Sequence, residues 1–107
     1  MKHAAVRKYA LSLAGVTEQP HFHLCSFRVE GKIFATMDEN QNLLNVFVNE
    51  ETRETFLATH PGCCKKLWWG KKVVGLRLET GLAKTALVRD LLQAAWRCKA
   101  PKKLLGE

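Results

Sequence analysis

Three short runs in which apolar and polar side chains alternate set the frame for this chain. Cys25, Phe27 and Val29 alternate with Ser26 and Arg28. Ile33, Ala35 and Met37 alternate next, with Phe34 directed to the other side, and Leu44, Val46 and Val48 form a third run. A period of two places successive side chains on opposite sides of an extended backbone, so each run reads as a half-buried strand. The links, Glu30-Gly31 and the polar stretch from Asp38 to Asn42, are too short for a crossover helix. They permit only chain reversal, which gives an antiparallel meander.

Helical spacing flanks the meander. Val6, Tyr9, Ala10 and Leu13 recur at i, i+3, i+4 and i+7, and Gly15 follows where such a helix ends. Thr17-Glu18-Gln19-Pro20-His21 reads as a loop. After the meander, Asn49 suits an N-cap, and Glu50, Glu51 and Glu54 populate the following turn, where the helix dipole favours negative charge. Phe56 and Leu57 give that short helix its apolar contact, and Pro61 disfavours helix at His60. Lys65 to Trp69 and Lys72 to Leu78 read as a fourth and fifth strand around a tight turn at Gly70-Lys71. The final helix starts near Leu82 and stops before Pro101, with Leu87, Leu91, Ala94, Ala95 and Cys98 on one face.

The expected fold is therefore α+β and two-layered, in the order α-β-β-β-α-β-β-α. A mostly antiparallel five-stranded sheet carries helices on one face and leaves the other partly open. At 107 residues, one domain over 1–107 is expected, with a short basic C-terminal tail from about 101 to 107. No apolar run approaches the roughly 20 residues that span a bilayer, and the N-terminus lacks the apolar core of a signal peptide. A soluble, cytoplasmic protein without membrane association is the expectation. Cys25, Cys63, Cys64 and Cys98 fit neither a disulfide framework nor a zinc ribbon, so reduced thiols are expected.

Charge is distributed unevenly. Met1 to Gly62 has six basic and seven acidic side chains, a net of −1, whereas Cys63 to Glu107 has eleven basic and three acidic, a net of +8. The excess centres on Lys65-Lys66-Leu67-Trp68-Trp69-Gly70-Lys71-Lys72. Cations interleaved with aromatic rings suit a polyanion that carries bases. On this reading Lys65, Lys66, Lys71 and Lys72 neutralise phosphates, and Trp68 or Trp69 stacks on a base or wedges into a groove. Arg77, Lys99, Lys102 and Lys103 extend the patch. Strand alternation sends Trp68 and Trp69 to opposite faces, one into the core and one outward. The competing structural role is an edge strand whose lysines discourage pairing with other chains.

Several segments resemble the MmcQ/YjbR family. They are Leu13-Ala14-Gly15-Val16-Thr17-Glu18, Phe27 to Ala35 across the first hairpin, and His60-Pro61-Gly62. The Gly70 turn into Val74-Gly75-Leu76-Arg77-Leu78 and the run Leu91 to Arg97 leading into Ala100-Pro101-Lys102-Lys103-Leu104 complete the likeness. The resemblance implies a small single domain of CyaY-like fold with a DNA-binding role and no catalytic residues. The chain departs from relatives in placing its tryptophans before the glycine turn rather than after it.

Other constellations set the alternatives. His21, His23 and Cys25 share one side of an extended segment and, with His60 or Cys63, suit a metal, which would make the chain a frataxin-like metal handler. The basic first helix lacks the carboxylate ridge that such a role wants. Cys63-Cys64 beside Lys65-Lys66 suit a lowered thiol pKa and redox activity. No G-x-S-x-G, P-loop, H-E-x-x-H or dinucleotide fingerprint occurs, so no enzyme, catalytic residue or cofactor is expected. The sequence reading is a non-enzymatic, low-specificity DNA binder, monomeric or weakly dimeric, with a chaperone-like protein-interaction module on the open sheet face as the first alternative.

Overall fold

The computed structural model describes residues 1–106. Helix α1 spans His3–Ser12, strands β1 to β4 span Val16–His21, Leu24–Val29, Lys32–Asp38 and Leu43–Phe47, and α2 spans Glu50–Thr59. Strands β5 and β6 span Cys64–Trp69 and Lys72–Glu79, α3 spans Thr85–Lys99, and a 3-10 turn covers Lys102–Leu105. The architecture is α+β with an antiparallel sheet, but the sheet has six strands, in the order β1-β2-β3-β4-β6-β5.

The additional strand is β1, which the sequence presents as a loop. Its residues, Val16-Thr17-Glu18-Gln19-Pro20-His21, carry no apolar alternation because β1 is an edge strand. Pro20 lacks an N–H and is tolerated there, opposite Cys25. Two further differences lie at the helices. Helix α3 begins at Thr85 rather than near Leu82, because Thr80 donates its backbone N–H and its hydroxyl to the Asn42 carbonyl and ties the preceding loop to the β3–β4 turn. The C-terminal segment is not a free tail either, since Leu104 and Leu105 pack against the core.

One face of the sheet holds the core. Phe27, Met37, Leu44, Val46, Leu76 and Leu78 meet Leu87, Val88, Leu91, Leu92 and Ala95 of α3, together with Val6 and Ala10 of α1. Helix α2 adds Phe56 and Leu57 over the β5–β6 side of the same cluster. Asn49 caps α2 as expected, its Oδ1 accepting from Thr52 N at 2.9 Å. Phe34 joins this core and is fully buried, which reverses the side expected from simple alternation. The reason is a bulge: Phe27 pairs with Ala35 and Arg28 with Ile33, so Phe34 has no partner and turns inward. Trp96 fixes the α1–β1 junction, its indole N–H donating to the Ala14 carbonyl at 2.9 Å.

A charged clasp closes the β1 side. Arg7 on α1 donates from Nε to both Glu18 oxygens, at 2.8 and 3.0 Å, and from Nη2 to Glu39 and to Cys25 Sγ. These carboxylates hold the guanidinium pKa above its ordinary value, and the hydrogen bond from Arg7 pulls the Glu39 carboxyl below its own. Glu39 is therefore ionised in the fold at pH values where the unfolded chain protonates it. The clasp contributes fully above the unfolded carboxyl pKa, roughly 4.3, and its contribution is lost as pH falls through the lower folded value. The difference in melting temperature between the native chain and Arg7→Gln is expected to hold steady above about pH 5 and to shrink below about pH 4.

Gly75 marks a close approach of β6 to β4. A Cβ placed there would lie 1.9 Å from the Val46 carbonyl oxygen and 2.9 Å from its carbon. Backbone atoms on a central ladder cannot yield as a flexible side chain does. Gly75→Ala is expected to destabilise by about 3 kcal/mol, the upper part of the overpacking range, read as a lower urea midpoint at unchanged m-value.

Candidate nucleic-acid interface

The β5–β6 hairpin turns through Gly70-Lys71, with Trp69 opposite Lys72. Gly70 has φ 60° at the first of the two central positions, where a primed hairpin turn takes glycine. N-terminal to Gly75, β6 has no partner on β4, so residues 68 to 73 overhang the sheet as a two-stranded ribbon.

Register assigns each side chain to a face. Cys64 opposes Leu78 and Lys66 opposes Leu76, which puts Cys64, Lys66 and Trp68 on the helix side. Lys65 opposes Arg77, Leu67 opposes Gly75 and Trp69 opposes Lys72, on the open side. A second bulge skips Val74 and keeps the two strands in phase at the tip. The tryptophans thus face opposite ways, as alternation requires. Neither enters the core, however: Trp68 is 57% and Trp69 70% exposed. Both lie on the overhang, beyond the end of β4. Trp69 leans on Phe47 of β4, with ring centroids 6.2 Å apart and planes at 52°. Leu67 is buried but lies outside the core cluster, as its place on the open face requires.

The open face has a polar row that the sequence reading missed. Ser26, Thr36, Asn45, Arg77 and Lys65 are successive cross-strand neighbours from β2 to β5. Arg77 Nε donates to Asn45 Oδ1 at 2.9 Å, Asn45 Nδ2 donates to Thr36 Oγ1 at 3.1 Å, and Ser26 donates to the Gln19 carbonyl at 2.8 Å. Ser26, Thr36 and Asn45 are buried, and no buried side-chain polar atom among the described residues lacks a partner. The available sequence signal was five polar or charged residues, all in the outward phase of neighbouring strands.

Lys65, Lys66, Lys71, Lys72 and Arg77 are all exposed. Among the described residues, none of these five has a carboxylate within ion-pair distance; the pairs present are Arg7 with Glu18 and Glu39, His23 with Asp38, Arg53 with Glu54 and Lys103 with Glu30. The hairpin therefore presents uncompensated positive charge on both faces. Lys102 and Lys103 do not join it. Leu104 lies against Gly15 at the start of β1, and Lys103 pairs with Glu30 at 3.4 Å. The β1 and β5 edges are five strand spacings apart, roughly 24 Å. Lys99, at the end of α3, leads into that same remote segment.

The remaining constellations come apart. The chain reverses at Phe22-His23, so the extended segment that would align His21, His23 and Cys25 does not exist. His21 opposes Leu24 while Cys25 opposes Pro20, on the other face. His23 approaches Asp38 at 3.7 Å, and Cys25 lies on Arg7 at 3.5 Å. Among the described residues, no group of three or more His, Cys, Asp or Glu side chains is placed to hold a metal ion. Cys63 and Cys64 are both free, but Cys64 points into the core and burial pushes its thiol pKa up, the reverse of what a reactive thiolate needs.

The YjbR family model matches residues 11–98. The chain belongs to the YjbR family. No curated protein sequence matches it. Among solved structures, the YjbR chain is similar to the crystal structure of Deinococcus radiodurans protein DR2400, with a DUF419 domain. The TM-score is 0.75 at 19% identity, over 89% of this chain and 75% of that one, which establishes a shared fold. No helix among the described residues is long and apolar enough to cross a membrane.

Cys64 supplies a direct check of this geometry. It is expected to remain unmodified by a thiol reagent at pH 8 in the folded chain and to react at once on unfolding, while Cys63 reacts without unfolding.

Proposed function

We propose that this YjbR-family chain binds DNA with little sequence preference, acting by binding rather than catalysis, through the Lys/Trp hairpin of β5 and β6. One observation carries the reading: two exposed tryptophans lie among five cations that have no carboxylate partner among the described residues. Ammonium and guanidinium groups in that state exchange hydration for phosphate contacts and release counterions from the polyanion. Tryptophan rings supply stacking surface that accepts any base. Helix α3 offers no competing site, because it covers the sheet and its polar residues are those that any covering helix exposes. The open face itself carries Lys65, Lys72, Arg77 and one tryptophan around a satisfied polar row, a surface closer to a phosphate ligand's needs than to those of an apolar protein partner. Four free thiols fit a reducing, cytoplasmic setting.

Affinity on this basis is steeply salt-dependent and nearly blind to sequence. Lys71→Glu combined with Lys72→Glu is expected to weaken binding to unrelated DNA at least tenfold. The slope of log K against log salt should flatten by about 2, at ~0.9 for each phosphate no longer neutralised. Unchanged affinity in the double variant would overturn the proposal. Fluorescence anisotropy across a salt titration makes the measurement.

A further inference from the structure

We infer that the preferred ligand is single-stranded DNA laid along β5 on the open face of the sheet, which rests on the DNA-binding reading above and narrows it. The two faces of the hairpin are not equivalent. Lys65, Trp69 and Lys72 share the open side with Arg77, whereas Lys66 and Trp68 occupy the helix side. Along β5 the open-side residues run from Lys65 to Trp69, four residues or roughly 13 Å. That track has cations at both ends and an aromatic platform at one of them.

The platform and the clamp are both held in place. Trp69 leans on half-buried Phe47 and keeps 70% of its surface free. Arg77 is oriented by the bond from its Nε to Asn45, and Asn45 is itself buried and bonded to Thr36. The remaining guanidinium nitrogens stay available beside Lys65. Two like charges directly opposite each other on neighbouring strands repel, and an anion seated between them removes that repulsion. A depression of about 320 Å³ lies at this point, its lining including Cys63, Lys65, Arg77, Leu43 and Leu82, with Glu79 two residues past Arg77 limiting the positive track. The ligand chemistry that fits is a phosphodiester at Lys65 and Arg77 followed by a base on Trp69, with Lys72 beside it.

A duplex does not meet these demands. Its bases are stacked and paired, so a groove offers only their edges, and presenting a base face to Trp69 requires unstacking it. A single strand has little such penalty. Stacking of this kind accepts every base, which agrees with the absence of base-reading side chains on the face.

Adjacent residues on opposite faces provide internal controls. Binding of a 15-nucleotide oligothymidylate and of a random 15-base-pair duplex is measured at ~0.15 M salt by anisotropy, with tryptophan quenching as a second readout. The expected result is at least tenfold tighter binding of the single strand. Trp69→Ala and Lys65→Glu should each cost it fivefold or more, and each should cost clearly more than its helix-side neighbour, Trp68→Ala or Lys66→Glu. These four side chains are solvent-exposed and outside the core, so the variants should stay folded at the temperature of the assay. Equal or tighter duplex binding, or equal losses from Trp68→Ala and Trp69→Ala, overturns the single-strand inference and leaves the DNA-binding reading standing. Failure to bind either DNA in a salt-dependent way overturns both.

Discussion

Among the described residues, three helices cover one face of the six strands and none covers the other. Much else follows from this one-sided burial. The covered face fills with Phe, Met, Leu and Val, because apolar surface is stabilised only where helices remove it from water. On the uncovered face, short polar side chains sit down among larger neighbours and lose solvent without gaining a helix. Each must then find a partner within its own layer. Ser26, Thr36 and Asn45 do so across the strands, and the chain of bonds ends on Arg77. The same requirement that satisfies the face therefore aims a guanidinium outward.

Two bulges refine this arrangement. The one at Phe34 places a large aromatic ring in the core where strict alternation would have sent it outward. The one at Val74 lies where β6 leaves β4 and continues as a two-stranded ribbon with β5. Bulges increase local twist and re-aim the residues beyond them. The charged tip is thus an extension of the core ladder whose phase is set inside the sheet, with Gly75 giving β6 its close approach to Val46.

What could be read in the sequence follows the same physics. Strands β2, β4 and β6 and helix α3 are legible because each has one buried side and so a period in its apolar residues. Strand β1 is not, because an edge strand with Pro20 and Glu18 buries too little to leave a pattern. Alternation alone puts Phe34 on the wrong side, because a bulge is a property of two paired strands and is invisible in one run of residues. The opposed directions of Trp68 and Trp69 follow from alternation, but their shared exposure depends on where β4 stops. The separation of Lys102 and Lys103 from the hairpin is equally hidden, since strand order decides it and Lys103 is tied to Glu30 across the molecule.

The junction between α1 and β1 is completed by the far end of the chain. Trp96 supplies the donor for the Ala14 carbonyl, and Leu104 closes over Gly15. During synthesis, the α1–β1 junction is therefore made about eighty residues before its lid exists. At the usual pace of translation, about 5–20 residues per second, that interval lasts several seconds, far longer than a hairpin needs to form. Newly made β2 must wait with its apolar side uncovered, which is a window for capture by a nascent-chain chaperone.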